Sequence, residues 1–122
     1  MLLRASGQAT GHTFDLHAVT QGTTTVRSGV AHEEILVALT EAMVSDDEEA
    51  LAIARTHVRD ELGPEALVDA AGVASNFERM VRIADATGIP LDSFLDEMTV
   101  DMRAELNLTR FESVVNSCFA EN

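Results

Sequence analysis

Residues 64–92 read PEALVDAAGVASNFERMVRIADATGIPLD, and this stretch decides the fold. Pro64 suits a first helical turn, where a missing N–H costs nothing and φ is already near helical. Gly88 supplies the residue just past the end, and Pro90 forbids resumption. Between them Leu67, Ala70, Ala74, Phe77, Val81 and Ala84 recur at steps of three and four, which lays an apolar stripe along one side of a helix. Val73, Met80 and Ile83 widen that stripe, so the helix is expected to have neighbours on more than one side. Ala70, Ala71, Gly72, Ala74 and Ser75 are small enough for another helix backbone to come close. Gly72 costs about 1 kcal/mol of helix propensity relative to alanine, and close packing is the expected compensation.

Working outward, the C-terminal side continues in helical text. Asp92 is a good cap for a helix carrying Leu95, Met98, Met102 and Leu106. Thr109-Arg110-Phe111-Glu112 has the form of a capping box, opening a last short helix with Val114, Val115 and Phe119. On the N-terminal side, residues 31–44 are expected to form a helix with Ile35, Leu36, Leu39 and Met43 on one face. Ser45-Asp46-Asp47-Glu48 reads as a capping box with Ser45 as the cap, opening a helix through Leu51, Ala54, Val58 and Leu62 to Gly63.

Residues 1–30 differ: they are rich in Thr, Gly and Ser and hold one acid, Asp15. Phe14, Leu16 and Ala18 alternate with Asp15 and His17, a period of two that suggests a strand. With Gln21-Gly22 as a turn and Thr23 to Val26 β-favouring, a short N-terminal β-hairpin is expected. The competing account is a flexible arm that orders against a partner subunit. The expected architecture is therefore mainly α: an arm or hairpin over 1–30 and a helical domain of about five helices over 31–122.

The chain has 122 residues, 46% of them hydrophobic, which is globular and long enough to bury a core. Its net charge of −13 comes from 21 acids against eight bases, every base an arginine. That field repels phosphates and anionic lipid, so neither nucleic acid nor a membrane is an expected partner. The plain account of the acidity is a soluble surface. Without lysine there is no Schiff-base chemistry, and without tyrosine no phenolic acid. The residues before Ala5 are too short for a secretory signal and no run is long enough to span a bilayer, so a cytoplasmic protein is expected. A single cysteine, Cys118, forms neither an intramolecular disulfide nor a Cys-x-x-Cys pair and reads as an apolar filler.

The run Ser75-Asn76-Phe77-Glu78-Arg79-Met80-Val81-Arg82-Ile83-Ala84-Asp85-Ala86-Thr87-Gly88-Ile89-Pro90-Leu91-Asp92 resembles a segment of the alkylhydroperoxidase D-like, or carboxymuconolactone decarboxylase-like, superfamily. There a helix with an asparagine or aromatic, then Arg-x-Ala-Asp, ends at Gly-Ile/Val-Pro. Met102-Arg103-Ala104-Glu105-Leu106 is similar to the Leu-Arg-x-Glu-Leu text of the following helix, and the likeness covers residues 45–116. It implies an all-helical fold that assembles into oligomers. The peroxidase branch works through a Cys-x-x-Cys pair with nearby His and Glu; this chain lacks the pair, so no catalytic residue, metal or cofactor carries over.

Three groups of residues invite chemistry. His57 and Glu61, four apart, share a helical face and have acid–base form, with Arg55 and Asp60 nearby; ordinary surface ion pairing is the plainer account. Asn76, Arg79 and Arg82 on the polar side of the central helix have the means to hold a small anionic ligand, against intrahelical pairs Glu78–Arg82 and Arg82–Asp85. His12, Asp15 and His17, with His32 and Glu33, have no recognised ligand spacing, and no metal site is expected. The expected function is a non-redox, self-associating scaffold or small-ligand binder, a homo-oligomer. The alternatives are a decarboxylase-like enzyme on a small anionic substrate, or an accessory domain completing a partner's site. Whether a reaction is catalysed is not assigned.

Overall fold

The computed structural model describes residues 2–22 and 25–111. The chain is mainly helical, with α1 over Leu2–Thr10, α2 over His17–Gln21, α3 over Glu33–Val44, α4 over Glu48–Leu62, α5 over Pro64–Thr87 and α6 over Ser93–Glu105, then a 3₁₀ turn at Leu108–Arg110. Connections of three residues (45–47) and one residue (Gly63) make α3, α4 and α5 successive hairpin neighbours, and these three pack on one another.

Their core is small and follows the helical repeat. Leu39 and Ala42 of α3 meet Ala54 and Val58 of α4, with Ile35, Met43, Leu51, Leu62, Leu67 and Ala70 packed around them. Leu39 and Val58 are the largest side chains with essentially no exposed surface. Burying each contributes about 1.5–3 kcal/mol. Leu67 and Ala70 bring the start of α5 to this core, yet no residue of α5 is itself fully buried.

α5 starts and stops where the local signals place it. Pro64 stands in the first turn, and Gly88 closes the helix in the left-handed conformation with φ 62°. The N–H groups of Gly88 and Ile89 both donate to the Ala84 carbonyl, which satisfies an orphan acceptor of the last turn. Only glycine takes that φ without steric cost. Asp92 caps α6 as expected, its carboxylate accepting from the Leu95 N–H at 2.9 Å.

Several expectations are corrected. The N-terminal hairpin is not formed: among the described residues there is no strand, and α1 and α2 occupy the segment instead. The period of two at Phe14, Leu16 and Ala18 has another cause. Asp15 Oδ1 accepts from the His17 N–H at 2.9 Å, a local turn that starts α2, while Leu16 and Ala18 are both buried on its inner side. Residues 11–14 fold back on α1, with the His12 N–H donating to the Gly7 carbonyl at 2.9 Å. A Cβ on Gly7 would stand 2.6 Å from the His12 carbonyl, so glycine is required there.

The cap of α4 is Asp47, not Ser45: Asp47 Oδ1 accepts from the Ala50 N–H at 2.9 Å. Ser45 ends α3 instead, its N–H donating to Glu41 and its hydroxyl to the Ala42 carbonyl. Two acids precede Glu48, and the helix begins from the nearer one. Among the described residues nothing lies within 4 Å of a Cβ built on Gly72, so the expected close helix contact there is not made by any of them. α3 begins at Glu33 rather than residue 31, because His32 is left-handed with φ 57°. The last helix expected from Thr109 falls mostly outside the described residues, as does Cys118. Thr109 itself lies in the 3₁₀ turn.

Long-range polar contacts tie the N-terminal segment to α6 and the turn beyond it. Arg4 donates to both carboxylate oxygens of Glu105 at 3.0 Å, and Arg110 Nη2 donates to the Thr20 carbonyl at 2.7 Å. Among the described residues, no helix is long and apolar enough to cross a membrane.

Candidate functional site

The apolar stripe that organises α5 divides between two surroundings. Leu67 and Ala70 pack against the helical core, and these two and Ala74 are half-buried. Val73, Phe77 and Met80, one turn apart in succession, stay 59%, 51% and 50% exposed, and Val81 and Ile83 flank them at similar exposure. With 24 residues against 15 in α4, α5 outruns its neighbour by about 13 Å at the helical rise. Among the described residues, the helices that pack on α5 are α3 and α4.

Val73, Phe77, Val81 and Ile83 of this face line one side of an open groove of about 1300 Å³, and Met80 lies beside it. The other wall is α3, through Leu36, Thr40, Met43 and Val44. Leu36, grouped by its spacing with Ile35, Leu39 and Met43 on one face of α3, borders the groove. The lining is predominantly apolar, with Asp69, Glu78, Arg79 and Arg82 as its charged members. Among the described residues, none of the N-terminal segment lines it.

Asn76, Arg79 and Arg82 stand together along α5. Arg79 Nη2 donates to Asn76 Oδ1 at 2.9 Å, and Arg82 Nε donates to Glu78 Oε1 at 2.6 Å. The Glu78–Arg82 pair is thus present at four-residue spacing, and Asp85 does not join it. Arg82 is bound within its own helix, whereas among the described residues Arg79 has its polar contact with a neutral amide.

His57 is not brought to them. It lies on the outer side of α4, in a shallow depression of about 520 Å³ shared with Glu61, Ile53 and Asp60 and with no residue of α5. Asp60 is held by the adjacent Arg59 at 3.1 Å. His57 and the two arginines therefore face different surfaces.

The N-terminal histidines make local contacts. His17 Nδ1 lies 2.9 Å from Asp15 Oδ1, and the His12 ring stacks on Phe14. The turn at His17 holds the Asp15 carboxyl below its ordinary range, first through the His17 backbone N–H and then through its ring. Among the described residues no three metal-ligating side chains converge.

One polar cluster was not foreseen. Glu33, only 8% exposed, accepts from the Ser28 N–H at 2.8 Å, from the Ser28 hydroxyl and from Arg27 Nη1 at 3.2 Å. The Ser28 hydroxyl, above all, holds the Glu33 carboxyl below its ordinary value; the Ser28 N–H and Arg27 add to it against the opposing effect of burial. The cluster fastens the segment before α3 to its first turn. Nothing in the local pattern distinguishes Glu33 from the exposed Glu34 beside it.

Comparison of the chain with protein-family models, with curated proteins and with solved structures finds no match.

Proposed function

We propose that the protein is a non-redox, self-associating helical protein of the alkylhydroperoxidase D-like superfamily, a scaffold or small-ligand binder that works as a homo-oligomer. The observation that carries this reading is the half-exposed apolar face of α5, centred on Val73, Phe77 and Met80. A surface helix ordinarily turns one apolar face to its own core and polar residues elsewhere. α5 carries a second apolar face beside the first, and a contiguous patch of that kind marks an interaction surface. The family part of the reading rests on residues 75–92, whose helix ends at Gly88 as the resemblance implies. The absence of a Cys-x-x-Cys pair speaks for a non-redox role.

A net charge of −13 on each copy opposes association at low ionic strength, so added salt should tighten it. The test is light scattering at low and high salt on the wild type and on Met80→Glu. The expected result is an oligomer favoured by salt and weakened by the new charge. A wild-type protein of monomer mass under every condition overturns the reading.

A further inference from the structure

Resting on the reading of α5 as a self-association face, we infer that its occupant is the same face of a second copy laid antiparallel, with Asp69 of each copy paired to Arg79 of the other. Three independent features of α5 lead there.

The first is the distribution of side-chain size. Ala66, Ala70, Val73, Phe77, Met80 and Ala84 follow steps of four and three, which makes one continuous stripe. The stripe is symmetric about position 75. Reversing the helix about that point sets Ala70 against Met80 and Val73 against Phe77, large against small. A parallel pairing sets Met80 against Met80 and Ala70 against Ala70, crowding one level and leaving a void at the other. A self-complementary patch is what a two-fold dimer requires.

The second is charge. Asp69, Gly72, Asn76, Arg79 and Ile83 follow steps of three and four, forming the adjacent stripe. Among the described residues no ion pair engages Asp69 or Arg79. In the antiparallel arrangement Arg79 of one copy stands about 3 Å along the axis from Asp69 of the other, within reach of a guanidinium. Each pair occurs twice by symmetry. In a protein of this net charge the two cross-pairs offset part of the mutual repulsion.

The third is the overhang. α5 outruns α4, and its end carries Met80, Val81 and Ile83 half-exposed. Antiparallel pairing lays that end over the other copy's groove, where Leu36 and Thr40 of α3 form the far wall. Each copy thereby covers what the other leaves open.

The test is sedimentation equilibrium on Asp69→Arg, Arg79→Asp and the double variant, with Met80→Glu beside them. Each single change should weaken association about tenfold, since like charges then meet twice across the two-fold. The double change should return it to within about threefold of wild type, the signature of a direct pair. If Met80→Glu dissociates the protein but the double variant shows no recovery, the antiparallel pairing is wrong and self-association stands. A monomeric wild type overturns both, leaving the groove to another occupant. A second measurement does not depend on the charge variants folding: spin labels at Ser75→Cys and, separately, Thr87→Cys, each with Cys118→Ser. Label 75 stands at the level of the two-fold but half a turn around the helix from the stripe, so its pair distance is set by the widths of the two helices. Label 87 should be farther apart, with at least ~36 Å along the axis, given 24 intervening residues of helix. Matching distances at the two positions overturn the proposal.

Discussion

Phe77→Ala separates the two surroundings of α5 within one residue. A buried phenylalanine removes about 150–250 Å² from water, and Phe77 keeps 51% of its surface exposed in the isolated chain. About 100 Å² is therefore still available to a partner, worth roughly 2.5 kcal/mol at 25 cal/mol per Å². A two-fold dimer counts the side chain twice, giving an upper bound of about 5 kcal/mol. Imperfect desolvation and ordering reduce the realised share, so two to three orders of magnitude in the dissociation constant is the expected loss, at about 1.4 kcal/mol each. The assay is sedimentation velocity over a wide concentration range, with circular dichroism to check that the helices persist. Phe94→Ala is the control, because Phe94 is 67% exposed but lies on α6. Unchanged association for Phe77→Ala, or an equal loss for Phe94→Ala, would refute the assignment of the interface to α5.

Three further outcomes are expected. Asp47→Ala should lower the unfolding free energy by about 1 kcal/mol in urea, while Ser45→Ala costs less; the reverse order would mean that α4 starts from Ser45. Glu33 has a lowered pKa in the folded chain, so its stabilising contribution is complete above the ordinary value of 4.5 and is lost as pH falls through the folded value. Glu33→Gln should therefore flatten the acid limb of the stability profile, and parallel limbs for the two proteins would contradict the Ser28–Glu33 contact. Thiol-dependent peroxide turnover should be absent with a dithiol reductant, and turnover abolished by Cys118→Ser would show otherwise.

What the sequence determined by itself is what short-range geometry encodes. Pro64 and Gly88 bound α5, Asp92 caps α6, and the spacing of Leu39, Ala54 and Val58 marks the inward faces of α3 and α4, because each signal acts within one or two helical turns. The apolar excess of α5 was legible in the same way, as was the Glu78–Arg82 pair. Asp69 was not singled out, although its place in the stripe through Gly72, Asn76, Arg79 and Ile83 could have been read from the spacing. Tertiary structure alone decided the rest. Three alternating residues near Phe14 fit a strand or a turn equally well, and the choice fell to the Asp15–His17 turn and to the loop folding back over Gly7. Glu33 and Glu34 are indistinguishable in a helical repeat until Ser28 approaches one of them. His57 and Arg79 face different surfaces because α4 and α5 turn those residues away from their common contact. Which half of the α5 stripe meets the core and which meets water depends on helix lengths and packing between segments distant in the chain. A periodic pattern fixes the face of a helix, while its neighbours fix how much of that face is covered.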